Sequence, residues 1–119
     1  MREQAAKFLP LNPATLHILL ALASEDLHGY AIMQQVSRQS EGRYKLGPGT
    51  LYDNLQRLLT QGVVKEVVQE RDRATVDSRR RYYRLTALGR GVLAAEIARL
   101  EGMIREAKLH LQAVRPGKA

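Results

Sequence analysis

Apolar residues recur at helical spacing in two segments near the start of the chain. The first follows Asn12-Pro13, where the asparagine can cap a helix and the proline suits its first turn. This segment is apolar on nearly every side up to Ser24, which predicts a helix enclosed by the protein core. The second segment opens at Gly29, ends near residues 40–42 and also predicts a helix. Apolar residues within 8–11, just before the first helix, pack either on the same core or on a partner chain.

A third helix is predicted where leucines repeat between the turn-forming residues 47–50 and Gly62. The leucines share one face: Leu51, Leu55, Leu58 and Leu59. Polar side chains share the opposite face: Asp53, Gln56, Arg57 and Thr60. Such a helix buries its leucines in the core and points its polar face outward.

Two strand-like segments follow the third helix. β-Branched residues dominate 63–68, and a second run occupies 81–85. Residues 69–80 between them are polar and too numerous for a tight turn, so they predict an exposed loop. Together the three segments predict a β-hairpin with a long loop.

Alternation along the second strand gives its side chains different surroundings. Tyr83 and Leu85 share one face and are predicted to be buried, whereas Tyr82 and Arg84 are predicted to lie on the other face. Aromatic residues interleaved with basic ones also occur in proteins that stack single-stranded nucleic acid. Core packing of Tyr83 is the favoured interpretation.

The last part of the chain predicts one long helix, from a cap at Thr86 to about Ala113. Its apolar residues form an unbroken heptad seam: Leu93, Ile97, Leu100, Ile104, Ala107, Leu111 and Val114. A domain this small does not need such a seam for its own core, so we expect the seam to meet a second subunit. The chain is thereby divided into a globular part, residues 1–86, and a dimerisation helix, residues 87–119.

The composition limits which binding partners and which cofactors the chain is expected to have. The chain has 119 residues, enough for one domain, and a formal net charge of +7. This positive charge favours a polyanionic partner, of which nucleic acid is the leading candidate. There is no cysteine, and the three histidines lack metal-ligand spacing, so neither a metal nor another cofactor is predicted. The sequence shows no signal peptide and no apolar segment of membrane length, and we expect a cytoplasmic protein.

Positive charge is concentrated on the predicted hairpin. Residues 71–84 contain six arginines and two aspartates, a net charge of +4. The order helix, helix, helix, strand, basic loop, strand, long helix is that of a mainly α (α+β) winged helix-turn-helix with a two-stranded wing. Arg43 and Lys45 precede the third helix. The third helix can therefore enter the major groove of duplex DNA while the wing and these two residues straddle a phosphate backbone.

Four motifs stand in a fixed order along the chain: His28-Gly29-Tyr30-Ala31-Ile32, Leu46-Gly47-Pro48-Gly49-Thr50-Leu51-Tyr52, Leu55-Gln56-Arg57-Leu58 with Gly62-Val63-Val64, and Arg81-Tyr82-Tyr83-Arg84-Leu85-Thr86 with Gly89-Arg90. Together they resemble the PadR family of transcriptional regulators, in its short subfamily with a single C-terminal dimerisation helix. The resemblance runs from about Leu16 to the end of the chain. It implies a homodimer, usually a repressor, that binds an operator with two-fold character.

The resemblance also implies roles for individual residues. Thr50 and Tyr52 would contact the DNA, and Tyr30 would support this surface. Asp53 departs from the family pattern, in which a proline or another small residue is common, and its carboxylate either repels phosphate or accepts from a cytosine amino group. The tryptophan that stacks planar drugs in the family's long helix is absent, because the chain has no tryptophan. This absence argues against sensing of planar drugs here.

Charge, position and resemblance give one set of candidate DNA contacts: Tyr30, Arg43, Lys45, Gly49, Thr50, Tyr52, Asp53, Gln56, Arg57, Arg71, Arg73, Arg79, Arg80 and Arg81. Arg57 either reads a guanine or contacts a phosphate or a surface carboxylate. Asn54 is expected to be structural. The candidate dimer contacts are Leu93, Ile97, Leu100, Ile104, Ala107 and Leu111.

Two other functions fit parts of this pattern. A protein-interaction module would pair the heptad helix with a different chain and dock the basic wing on an acidic partner. Nonspecific RNA binding would follow from the charge but lacks the aromatic platform typical of it. No arrangement of Ser, Asp and His resembles a nucleophile with its base, so an enzyme is not expected. An aliphatic dimer seam can hold a small apolar effector or be closed, and the closed seam is favoured.

Overall fold

A long C-terminal helix and a small sheet frame four shorter helices. The structure, a computed structural model, describes residues 2–68 and 81–114. The elements are α1 (Arg2–Ala6), α2 (Pro13–Ala21), β1 (Leu27–His28), α3 (Gly29–Gln39), α4 (Pro48–Thr60), β2 (Val64–Val67), β3 (Tyr82–Leu85) and α5 (Ala87–Ala113). No helix within these two ranges is both long enough and apolar enough to span a membrane.

Helix α2 is the centre of the core. It starts as predicted, since Asn12 Oδ1 accepts a hydrogen bond from the Thr15 amide at 2.8 Å and Pro13 occupies the first helical turn. Ile18 is completely buried, which confirms a core helix. Leu20 is nearly half exposed. The enclosure of α2 is therefore less complete than its apolar sequence predicts.

The sheet has the strand order β1-β3-β2, and both pairs of strands are antiparallel. Strands β2 and β3 form the predicted hairpin, with Val64 opposite Leu85. Strand β1 adds a third strand by pairing Leu27 with Tyr83. The sequence pattern does not predict β1, because two residues are too few to show alternation.

Tyr82 is buried, and the prediction that it lies on an exposed face is wrong. The physical reason is β1, which covers the edge of β3 that a hairpin alone would leave open and places His28 opposite Tyr82. The two rings pack edge to face, with centroids 5.3 Å apart. Tyr83 and Leu85 are buried as predicted, and Arg84 is exposed.

A left-handed glycine ends α4 at the position predicted from the sequence. Gly62 has a φ of 76° and donates its amide hydrogen to the Leu59 carbonyl at 3.1 Å, while the Val63 amide donates to the Leu58 carbonyl at 2.9 Å. These two bonds form a Schellman motif, which satisfies the last carbonyls of the helix and turns the chain into β2. Thr86 then fastens the start of α5 to this turn, since its amide donates to the Val63 carbonyl at 3.1 Å.

Helix α5 begins and ends as predicted. The Thr86 hydroxyl oxygen accepts a hydrogen bond from the Gly89 amide at 3.0 Å, which is the expected N-cap. Val92 is completely buried against the core. Most side chains of the helix beyond Leu100 are exposed, so this half projects from the rest of the chain.

The carboxylate of Glu96 is 1% exposed, in a core made almost entirely of apolar residues. Its Oε2 accepts from the Leu11 amide at 3.0 Å, and its two oxygens accept from the Arg99 guanidinium at 2.5 and 3.0 Å. The bonds from Arg99 hold the pKa of Glu96 below its ordinary value, although burial alone would raise it. The bond to Leu11 ties the segment before α2 to α5 of the same chain. Residues 8–11 thus pack on their own core rather than only on a partner.

Candidate nucleic-acid interface

Helix α4 separates apolar from polar side chains as predicted. Leu51, Leu55 and Leu58 are buried, whereas Asp53 and Gln56 are exposed. Within residues 2–68 and 81–114, neither of these two polar side chains makes a hydrogen bond or an ion pair. A helix face with free hydrogen-bonding groups can bind the edges of bases in the major groove.

The first turn of α4 lies earlier than predicted. The sequence predicts a turn over residues 47–50, but the helix already begins at Pro48 with Gly47 as its N-cap. Gly49 and Thr50 are therefore in the first helical turn, and both are exposed. Proline at this place costs no hydrogen bond, because the first amides of a helix have no intrahelical acceptor. Those free amides and the positive end of the helix dipole suit contact with a phosphate.

The Tyr52 side chain, in the first half of α4, packs over the start of α3. A Cβ atom built on Gly29 would lie 2.9 Å from Tyr52 Cζ and 3.3 Å from Tyr52 Cε1, so any larger residue at Gly29 would displace the ring. Tyr52 is nevertheless 50% exposed, and Tyr30 is 63% exposed. The His28 ring caps α3 beside them by accepting from the Ala31 amide at 3.2 Å. The structure thus assembles the His28-Gly29-Tyr30 motif and Tyr52 at the junction of α3 and α4.

A buried polar network joins α4 to α2. Thr15 Oγ1 donates to Asn54 Oδ1 at 2.8 Å, and Asn54 Nδ2 donates to the Thr50 carbonyl at 2.8 Å. Both side chains are buried, which confirms that Asn54 is structural. Sequence reasoning missed Thr15, because one threonine in an apolar helix gives no signal of its partner 39 residues away.

Arg57 belongs to the same network. Its Nη2 donates to Asn54 Oδ1 at 2.6 Å and to Thr15 Oγ1 at 3.3 Å. The guanidinium is therefore turned toward α2, at the edge of the polar face that Asp53 and Gln56 occupy. Two hydrogen bonds within the chain thus fix the position of the Arg57 guanidinium.

Arg43 and Lys45 are exposed on the segment that leads into α4. Tyr44 between them is held in place, since its ring stacks on that of His17 at 4.7 Å with an interplanar angle of 12°. Its amide also donates to Ser40 Oγ at 3.0 Å. A fixed Tyr44 keeps the two flanking cations on the surface beside α4.

The base of the hairpin carries less free charge than the sequence count indicates. Arg84 donates two hydrogen bonds to the Asp26 carboxylate, at 2.8 and 2.7 Å, and these bonds raise the pKa of Arg84. Arg81 is exposed and lies 3.6 Å from a Glu66 oxygen. The other candidate cations of the wing lie outside the described residues: Arg71, Arg73, Arg79 and Arg80.

Tyr83 packs in the core beneath this surface. Burial is the main cause that raises the pKa of its phenol, and the nearby Glu66 carboxylate raises the pKa further. Core packing of Tyr83 is thereby confirmed, and the residue offers no face for stacking a base.

The heptad seam of α5 is divided between this chain's core and the surface. Leu93 is only 6% exposed and belongs to the core, which corrects its assignment as a partner contact. Leu100 is half-buried. The rest of the predicted seam is exposed: Ile97, Ile104, Ala107, Leu111 and Val114.

Comparison with known sequences gives one family and a close relative. A family model described as "Transcriptional regulator PadR-like family" matches residues 18–95. The protein named Transcriptional regulator Rv3488, from Mycobacterium tuberculosis, is 40% identical over 92 residues, which cover 76% of this chain and 78% of that protein.

Solved structures share the fold. A PadR family transcription regulator from hypervirulent Clostridium difficile R20291 superposes with a TM-score of 0.70 at 24% identity, over 84% of this chain and 99% of that one. Bacillus subtilis PadR in complex with operator DNA superposes with a TM-score of 0.63 at 19% identity, over 74% of this chain and 48% of that one. These likenesses confirm the winged helix-turn-helix and the long C-terminal helix predicted from the sequence.

Proposed function

The chain belongs to the PadR-like family of transcriptional regulators, and we propose that it is a homodimeric repressor that binds operator DNA sequence-specifically. The observation that carries this proposal is the exposed polar face of α4, on which Asp53 and Gln56 have no partner among the described residues. A protein with this role works on the chromosome, in the cytoplasm. The fold neighbour from Bacillus subtilis, bound to operator DNA, supports the mode of binding.

We assign different tasks to the two halves of α4. Gly49, Thr50 and Tyr52 in its first half position the helix on the DNA backbone, together with Tyr30 at the start of α3. Asp53 and Gln56 meet the base edges in the next turn, where a carboxylate accepts from the cytosine amino group and an amide suits adenine. The exposed Arg43, Lys45 and Arg81, with Arg71, Arg73, Arg79 and Arg80, supply contacts to the flanking phosphates.

The exposed part of α5 supports the proposed dimerisation. Ile97, Ile104 and Leu111 recur at heptad spacing on a helix that projects from the rest of the chain, and such a stripe is stable only when another helix covers it. A symmetric pair would present two α4 helices to successive major grooves, about 34–36 Å apart. In this arrangement residues 1–86 bind DNA and residues 87–119 form the dimer.

The decisive experiment combines oligomeric state with sequence selection. Sedimentation of the purified protein should give a dimer, and selection of bound duplexes from a random pool should return two half-sites spaced by one helical turn. A monomer that enriches no sequence would contradict the repressor and favour a protein-interaction module.

A further inference from the structure

A cleft of about 220 Å³ lies beside α4, on the side that faces α2. One wall is the segment between α1 and α2, and the other is the second half of α4. The lining side chains are Lys7, Phe8, Pro10, Leu11, Asn12, Thr15, Arg57, Leu58 and Gln61. Its volume is below the usual range for drug-sized ligands, so it suits a small group.

Two positive charges line this cleft, on Lys7 and Arg57. Among residues 2–68 and 81–114, no acidic residue belongs to the lining. The Lys7 ammonium makes no hydrogen bond or ion pair with the part of the chain that the structure describes. Among the residues that the structure describes, the Arg57 guanidinium donates only to the neutral oxygens of Asn54 and Thr15, and only through Nη2, so its positive charge and its other donors stay available.

The polar part of the lining strengthens this preference for negative charge. Helix α2 begins in the wall of the cleft, where Asn12 caps it, and the positive end of its dipole lies there. Gln61 adds an exposed amide from the end of α4. Thr15 and Asn54 fix the Arg57 guanidinium in advance, which lowers the entropy lost when an anion binds.

We propose that this cleft binds one phosphate group between Lys7 and Arg57. The phosphate comes either from the backbone of the duplex that α4 enters or from a small phosphorylated metabolite. In the first case the inference rests on the proposed function and extends the DNA footprint to α1 and α2. In the second case the ligand contacts the DNA-reading helix directly.

The test uses the full chain and two variants that remove the same charge, Lys7→Gln in the cleft and Lys108→Gln on the exposed part of α5. Amide resonances of each protein are followed while inorganic phosphate is added, with sodium chloride at equal ionic strength as the reference. We expect saturable shifts at Thr15 and Gln61 in the wild type and in Lys108→Gln, and their loss in Lys7→Gln. Absence of saturable shifts in the wild type would overturn the site, and this measurement does not depend on DNA binding.

The two sources of the phosphate are distinguished by measuring the affinity for the selected operator at several salt concentrations. If the backbone supplies the phosphate, Lys7→Gln lowers the slope of log affinity against log salt by about 0.9 for each bound subunit, and Lys108→Gln does not. If slopes are equal while the phosphate shifts are lost, the ligand is a free phosphate compound. If the wild-type protein binds phosphate but no operator, the proposed repressor function is contradicted while the phosphate site in the cleft stands.

Discussion

Tyr52 covers Gly29 so closely that a Cβ atom at Gly29 would lie 2.9 Å from the carbon that bears the tyrosine hydroxyl. The contact joins the first half of α4 to the first residue of α3, and these are the two helices that a helix-turn-helix presents to DNA. Half of the Tyr52 surface stays exposed. One glycine therefore fixes where an aromatic side chain stands on the proposed DNA surface.

We expect Gly29→Ala to weaken operator binding by about tenfold with little loss of stability, because the half-exposed tyrosine can swing outward. The measurement is fluorescence anisotropy with the selected operator, beside thermal unfolding. In a Tyr52→Ala background the same substitution should have almost no further effect, which corresponds to a coupling free energy of about 1.4 kcal/mol. Additive effects of the two substitutions would show that Gly29→Ala does not act through Tyr52.

Asp53→Asn should change which base is preferred at one position of each half-site. The carboxylate only accepts hydrogen bonds, whereas the amide both donates and accepts, so preference should move from cytosine toward adenine by about 1–3 kcal/mol. Repeating the random-pool selection with the variant measures this change. Glu101→Gln removes the same charge from the exposed surface of α5 and should leave the selected sequence unaltered. An unchanged sequence with Asp53→Asn would remove Asp53 from the reading surface.

Replacement of Ile104 by glutamate should convert the dimer to a monomer. Ile104 is 53% exposed in the single chain, so the charge disturbs the partner contact and not the fold. Leu109→Glu is the matched control, because Leu109 is 58% exposed on the same helix but lies off the heptad seam. Sedimentation at equal concentrations should give a monomer for the first variant and a dimer for the second. The reverse result would place the interface on another face of α5.

Glu96→Gln should lower the free energy of unfolding by about 2 kcal/mol near neutral pH, because the charged bonds from Arg99 are lost in a buried site. The pKa of Glu96 in the folded protein is lower than its ordinary value of 4.5. Stabilisation by the ionised carboxylate is thus complete above that value and is lost as the pH falls through the lower folded-state pKa. Urea unfolding at a series of pH values should show that the free energy of unfolding of the wild type approaches that of the variant as the pH falls. A constant difference down to the most acidic pH would contradict this origin.

Substitutions at two residues with positive φ should change the free energy of unfolding in opposite directions. Glu41 has a φ of 55° after the end of α3, a backbone conformation that costs a side chain about 1 kcal/mol. We expect Glu41→Gly to raise the free energy of unfolding by about 0.5–1 kcal/mol and Gly62→Ala to lower it by about 1 kcal/mol. Urea denaturation of both variants measures the effects. Equal signs would show that the left-handed conformation does not control either turn.

The features that the sequence predicts correctly are those that depend on neighbouring residues. Asn12 and Thr86 cap their helices within three residues, and Gly62 ends α4 through bonds to the preceding turn. The features it misses depend on distant partners. Tyr82 is buried because β1 pairs with β3 across 54 positions of the chain, and Arg57 donates a hydrogen bond to Thr15, 42 residues earlier. No local pattern contains either pairing.

The Asp26–Arg84 ion pair and the pairing of β1 with β3 attach the base of the hairpin to the residue that precedes α3. In the proposed complex, Tyr30 and the hairpin base therefore keep a constant separation when the protein meets DNA. Because this separation is fixed, affinity depends on the groove width and the flexibility of the duplex. A groove of another width must deform before both Tyr30 and the hairpin base can contact it. Base pairs that no side chain contacts would then influence affinity through the stiffness of the helix to which they belong.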